Sequence, residues 1–189
     1  MTNILFTGVG GQGVILASTI LLDVARAAGY DVKESEVHGM AQRGGSVECH
    51  VRYGEKVYSP LIPKGGADFL VTFELLETMR KLDYMAPEGL VIANKDRVDP
   101  APVLTGEMAY PPDLEDWIKK NIPRHLIVDT EQALKEAGTK KALNIVMLGI
   151  LSKYLPFEQD LWEKTIRANV KEKFVEHNLK AFSLGRALA

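Results

Sequence analysis

Ile4-Leu5-Phe6-Thr7-Gly8-Val9-Gly10-Gly11-Gln12-Gly13-Val14-Ile15-Leu16-Ala17 packs a strand, a glycine turn and a helix start into fourteen residues. The apolar run Ile4–Phe6 reads as a buried strand, and Val14, Ala17, Leu21, Val24 and Ala28 recur at helical spacing after the turn. Gly8, Gly10 and Gly13 satisfy G-x-G-x-x-G, a pattern that lets backbone N–H groups and the positive end of a helix approach an anion. By itself the pattern is weak, since the same glycines also serve a tight turn that packs helix on strand. A second glycine element, His38-Gly39-Met40-Ala41-Gln42-Arg43-Gly44-Gly45-Ser46, follows one strand–helix unit later, and the pair carries more information than either part.

Outward from the turn, strand and helix patterns alternate. Gly29 stands where a helix C-terminus is expected. Asp31–Val37 and the period-two run Val47–Tyr53 read as strands, with Gly54-Glu55 and Lys56-Val57-Tyr58 as a hairpin return that supplies an antiparallel pair. Phe69–Phe73, Gly89–Ala93 and Leu126–Val128 are further strands. Helices are expected with Leu75, Met79, Leu82 and Ala86 on one face, and over 113–121, 131–137 (capped by Thr130 and ended by Gly138), 144–154, 157–167 and 171–188. Four of the nine prolines fall between Asn94 and Pro112, which reads as an irregular crossing with a short strand at most. The expected architecture is α/β: a Rossmann-like three-layer sandwich over 1–189, with a mostly parallel sheet, an antiparallel hairpin and C-terminal helices. Ligands of such sheets bind at the carboxyl ends of the strands, where the Gly8–Gly13 loop lies.

Composition narrows the function classes. The 189 residues are 46% hydrophobic and 25% charged, enough for one real core. A net charge of −2 and a pI near 6.1 argue against nucleic acid and polybasic membrane contact. The longest later apolar run, Ile145–Leu151, is too short to span a bilayer, and the first residues lack a signal-peptide pattern. Cys49 is the sole cysteine, so neither an internal disulfide nor a cysteine-ligated cluster is available, and a reducing cytoplasm is expected.

Catalytic machinery is absent from the residue pattern. Cys49 and His50 are strand neighbours that face opposite sides, which disfavours a nucleophilic pair. His125 and His177 stand alone, Asp96, Asp99 and Glu107 lack metal-ligand spacing, and Ser46 lacks a nucleophile-elbow context. A dinucleotide site remains open, with Glu34 or Glu36 on a ribose. Against it stand the polar Gly11-Gln12 turn and the direct run of the second strand into His38.

Gly8-Val9-Gly10-Gly11-Gln12-Gly13 together with Glu36-Val37-His38-Gly39-Met40-Ala41-Gln42-Arg43-Gly44-Gly45-Ser46-Val47 resembles the gamma-type subunit of the 2-oxoacid:ferredoxin oxidoreductases, and within them the small (beta) subunit of the indolepyruvate branch. The likeness continues through Ala67-Asp68, Asn144, Leu148-Gly149 and the ending 178–185. It implies a subunit that is inactive alone and belongs to a complex with a large (alpha) subunit. That partner carries thiamine diphosphate, Mg and the iron–sulfur clusters and passes electrons to ferredoxin. The resemblance places this chain beside the thiamine site and the route of coenzyme A. It implies ligand contacts at Gly8, Gly10, Gly11, Gln12, Gly13, His38, Gln42, Arg43 and Asn144, with Arg43 on a phosphate or the large subunit, and no catalytic or metal residue here. The alternative is a free-standing nucleotide- or dinucleotide-binding protein of Rossmann type.

Overall fold

The computed structural model describes residues 1–38 and 45–189. Among these residues six strands form one sheet: β1 (Thr2–Val9), β2 (Asp31–His38), β3 (Ser46–Gly54), β4 (Ala67–Thr72), β5 (Met85–Asn94) and β6 (His125–Val128), in the order β2-β3-β1-β4-β5-β6. β1, β4, β5 and β6 pair in parallel. β3 is antiparallel to both β1 and β2, so it alone runs against the rest and splits the β1–β2 crossover. The antiparallel pairs are therefore β1–β3 and β2–β3. Lys56-Val57-Tyr58 is not a return strand: β3 already has a partner on each edge, and the Val57 N–H donates to the Asp31 carboxylate (2.8 Å).

The helices are α1 (Val14–Ala27), α2 (Leu75–Lys81), α3 (Ala101–Leu104), α4 (Leu114–Asn121), α5 (Glu131–Ala137), α6 (Leu143–Ser152), α7 (Gln159–Asn169) and α8 (Val175–Ala187). One face of the sheet, through Ile4, Phe6, Cys49, Val51, Val71 and Ile92, packs on the larger layer built from α1 and α5–α8. The other, through Leu5, Leu70 and Val91, packs on the smaller layer of α2 and α4. α1 stops as the sequence predicts, with Gly29 at φ 90° and its N–H bonded to the Arg26 carbonyl, although Ala28 is exposed and the buried stripe ends at Ala25. α2 is shorter than its stripe suggests, and Ala86 already lies in β5. The proline-rich crossing contains the short helix α3 rather than a strand. No helix among the described residues is long and apolar enough to cross a membrane.

β3 keeps the period of two seen in its sequence, yet both of its faces are buried. Val47, Cys49, Val51 and Tyr53 face the α1 side, and desolvation there pushes the Cys49 thiol up to about 12. On the other face His50 and Arg52 bond the extended segment that follows β3, and Glu48 sits beside His50 and Lys81. His50 Nδ1 accepts from the Ile62 N–H (3.2 Å), and Arg52 Nη1 donates to the Ser59 and Leu61 carbonyls (2.9 Å each). Contacts with His50 and Lys81 hold the Glu48 carboxyl down at about 2.

Candidate functional site at the carboxyl edge of the sheet

β1 ends at Val9, and α1 starts at Val14, with four residues between them. That tight a reversal requires glycine: Gly11 sits at φ 104° and Gly13 at φ 81°, conformations that an L side chain resists. Gly8 is needed for space, because a Cβ there would lie 2.9 Å from Gln12 Oε1, Phe73 Cβ and Val14 Cγ2. The first helical bond runs from the Ala17 N–H to the Gly13 carbonyl (3.1 Å), and among the described residues no side chain caps the helix. The N–H groups of its first turn have no carbonyl one turn back, so the positive end of α1 opens beside the loop.

Inside the loop, Gln12 acts as a brace. Its Oε1 accepts from the Val9 N–H (2.7 Å), its Nε2 donates to the Phe73 carbonyl (3.0 Å), and its own N–H bonds the Val9 carbonyl (3.1 Å). The Phe73 carbonyl takes a second donor, Asn94 Nδ2 (3.2 Å), while Asn94 Oδ1 accepts from Thr130 Oγ1 (3.0 Å). A line of bonds thus joins the ends of β1, β4 and β5 to the start of α5. This is why Thr130 does not cap α5 as the sequence suggests; Asp129 Oδ1 instead accepts from the Glu131 N–H (3.0 Å).

The two glycine elements meet. Val9 pairs with Ser46, His38 pairs with Val47, and the Gly10 N–H donates to the Gly45 carbonyl (2.8 Å). Gln42 and Arg43 lie outside the described residues. Asn144, distant in sequence, also arrives here: its Nδ2 donates to the Gly13 carbonyl (3.3 Å) and stands where a Gly13 Cβ would fall (2.8 Å).

Glu77 completes the support and was invisible in the sequence, where it reads only as a polar position of α2. It is 1% exposed, and its Oε2 accepts from Ser46 Oγ (2.5 Å) and Thr7 Oγ1 (3.1 Å), with Arg80 on Oε1 (2.7 Å). Glu74, equally buried, ties the start of α2 to the crossing after β5 by accepting from Tyr110 (2.5 Å) and the Glu77 N–H (3.1 Å), and burial raises its carboxyl. A cleft of about 670 Å³ opens along the same edge beyond β5 and β6, between Lys95, Asp129, Lys135 and Lys140.

The other sequence candidates fall elsewhere. Cys49 and His50 face opposite sides of β3, as strand geometry requires. Glu34, half-buried with its carboxyl raised by desolvation, lies on β2, opposite Val51. Because β3 intervenes, β2 is two strand spacings from β1, about 10 Å rather than about 5 Å. An acid at its end is displaced from the position a dinucleotide ribose requires. His125 pairs with the Ile122 carbonyl (2.6 Å), and the His177 ring lies against Gly138, 3.4 Å from where a Cβ there would fall. Among the described residues no three His, Cys, Asp or Glu side chains group to hold a metal.

Residues 3–188 match the family model described as pyruvate ferredoxin/flavodoxin oxidoreductase. The chain is 42% identical over 188 residues to the indolepyruvate oxidoreductase subunit IorB of Archaeoglobus fulgidus, covering 97% of this chain and 92% of that one. In fold it is similar to the gamma subunit of a keto/oxoacid ferredoxin oxidoreductase from Geobacter sulfurreducens, with a TM-score of 0.72, 23% identity, and coverage of 100% and 98%. It is also similar to part of the 2-oxoglutarate:ferredoxin oxidoreductase of Magnetococcus marinus, solved with 2-oxoglutarate, coenzyme A and succinyl-CoA. There the TM-score is 0.75 at 21% identity, and all of this chain covers 31% of that one.

Proposed function

The chain belongs to the pyruvate ferredoxin/flavodoxin oxidoreductase family, and from that premise we propose that it is the small subunit of an indolepyruvate-type 2-oxoacid:ferredoxin oxidoreductase. The end-to-end likeness to an indolepyruvate oxidoreductase subunit carries this reading. The complex oxidatively decarboxylates an aryl 2-oxoacid to an acyl-CoA. Thiamine diphosphate, Mg and iron–sulfur clusters belong to the large subunit, and ferredoxin takes the electrons. The chain's own chemistry supports that division, since its one thiol is buried and held protonated by desolvation.

This chain's part is to shape one wall of the coenzyme A route and to dock on the large subunit in the cytoplasm. Gly10 and Gln12 direct their N–H groups inward to Gly45 and Val9, which fixes the loop. Gly11, Gly13 and the open first turn of α1 then offer donors to a phosphate or to a partner carboxylate. Gly8 gives the close packing, and Asn144 fixes the Gly13 carbonyl. Arg43 supplies a planar cation for bidentate contact. A free-standing dinucleotide-binding protein has less support, because β3 separates β2 from the glycine loop.

The test is co-expression with a large subunit, followed by turnover with several 2-oxoacids and coenzyme A. Co-purification and coenzyme A-dependent ferredoxin reduction with aryl 2-oxoacids are expected. Gly11→Ala and Arg43→Lys are expected to raise the KM for coenzyme A or weaken assembly while decarboxylation is retained. Lost decarboxylation in an Arg43→Lys complex with normal assembly and coenzyme A binding would move Arg43 into the chemical step.

A further inference from the structure

β2 is an outer strand of the sheet, eight residues long, and among the described residues no further strand covers its free side. The opposite edge, β6, has only four residues. Which backbone groups of β2 face outward follows from the register. The Gly10 N–H donates to the Gly45 carbonyl (2.8 Å), one step beyond the Val9–Ser46 pair, so odd-numbered residues of β3 turn their N–H and C=O groups to β1. Thr7, of the other parity in β1, turns its carbonyl to the opposite side, where it accepts from the Phe73 N–H (2.9 Å). Even-numbered residues of β3 therefore serve β2, where His50 meets Ser35 and Arg52 meets Lys33. The backbone groups of Val32, Glu34 and Glu36 are left pointing away from the sheet, unused by any strand among the described residues.

The side chains of the same three residues stand on the α1 face, because their partners across the ladder are Tyr53, Val51 and Cys49. Two carboxylates, Glu34 and Glu36, thus sit one pleat apart on one face of an open edge. Glu34 Oε1 is buried with no hydrogen-bond partner among the described residues, and its carboxyl is raised by desolvation and then by Glu36 and Asp23. Arg26 opposes that rise but is itself paired with Asp23 (2.6 Å). These acids bar a second copy of the chain. Antiparallel self-pairing through the outward groups sets even-numbered residues opposite one another. The registers that overlap most of the strand then place Glu34 against Glu34 or against Glu36. The same acids favour a strand that brings positive charge to this face.

We infer that β2 accepts an extended segment of the large subunit as a new outermost strand, with Lys or Arg at the two positions opposite Glu34 and Glu36. The segment's backbone bonds the outward groups of Val32, Glu34 and Glu36, and its cations, about 5 Å across the ladder, give Glu34 Oε1 the donor it lacks. Backbone pairing supplies affinity and the alternate side chains supply selectivity, as in other strand additions. β2 runs parallel to β1 and ends at the same edge of the sheet as the glycine loop, so this interface adjoins the candidate site. The identity of the partner rests on the small-subunit reading.

Hydrogen exchange of the full chain, alone and in the complex co-expressed with the large subunit, tests the strand addition. In the free chain the amides of Val32, Glu34 and Glu36 are expected to exchange fast and those of Lys33, Ser35 and Val37 slowly. In the complex the first three are expected to slow at least tenfold. E36P removes one outward N–H at an exposed position and leaves the β2–β3 ladder its donors, while E34Q/E36Q removes the charges. Each is expected to weaken association of the purified subunits at least tenfold with an unchanged circular dichroism spectrum. An assembled complex in which the three amides exchange as in the free chain, or association indifferent to either variant, would overturn the strand addition and leave the small-subunit reading standing. Two chains that do not associate at all would overturn both.

Discussion

Replacing Gln12 by Ala removes the brace of the glycine loop, and its cost follows from the bonds that disappear. Two are lost, Gln12 Oε1 from Val9 N–H and Gln12 Nε2 to the Phe73 carbonyl, each contributing about 1 kcal/mol net. The loss is asymmetric. Phe73 keeps Asn94 as a donor, whereas the N–H of Val9, a residue 5% exposed, loses its side-chain acceptor and adds a desolvation cost of about 1 kcal/mol or more. The total is about 3 kcal/mol, which at a urea m-value of about 2 kcal/mol/M lowers the unfolding midpoint by about 1.5 M with m unchanged. Asn94→Ala supplies the decisive cross-check. Either single variant leaves the Phe73 carbonyl one donor, and the double variant leaves it none, so the double should exceed the sum of the singles by about 1 kcal/mol. A Gln12→Ala midpoint within about 0.3 M of the parent, or strict additivity with Asn94→Ala, would refute the brace.

Three further outcomes are expected. Glu48 has its carboxyl depressed from 4.5 to about 2, so its contribution to stability is complete above pH 4.5 and is lost as pH falls toward 2. The full swing is about 3 kcal/mol, and urea midpoints of Glu48→Gln should fall less steeply than the parent's across that window. Gly185→Ala drives a Cβ into the Val146 carbonyl and forces α8 off α6. An overpacking cost of about 2–3 kcal/mol corresponds to a Tm lower by about 5–10 °C, read by calorimetry, and an unchanged Tm would contradict the close crossing. The purified chain alone should be colourless and free of stoichiometric iron by metal analysis, because Cys49 is its sole, buried thiol.

The parts legible in the sequence were those with local causes. The turn at Gly8–Gly13, the end of α1 at Gly29, the αL stop of α5 at Gly138 and the buried helix around Ile145–Leu151 each follow from conformational need or apolar periodicity, and each is found. What escaped depended on distant partners. Thr130 looks like a cap, but Asn94 claims its hydroxyl; Lys56–Tyr58 looks like a return strand, but β1 occupies the edge it needs. The polar face of β3 looks exposed until the segment after it supplies backbone groups for His50 and Arg52. At the site, the glycines announced the loop, and the resemblance supplied Asn144. Glu77 had no local signature, because its importance comes from Thr7 and Ser46 converging on one buried carboxylate.

β1 is a central strand that is made before either of its sheet neighbours. β1 lies between β3 and β4, so the residues that flank it emerge only after position 46 on one side and position 67 on the other. β2 and β3, neighbours in sequence, can zip together early, but β1 must wait with both hydrogen-bonding edges and the apolar Ile4–Phe6 run uncovered. Pairings such as Ile4 with Val51 and Phe6 with Val71 span long stretches of chain and slow folding through loop-closure entropy. Until β3 and β4 are both in place, β1 is open to wrong pairing on either edge, for the same reason that the glycine loop ends up at the sheet's interior rather than at its rim.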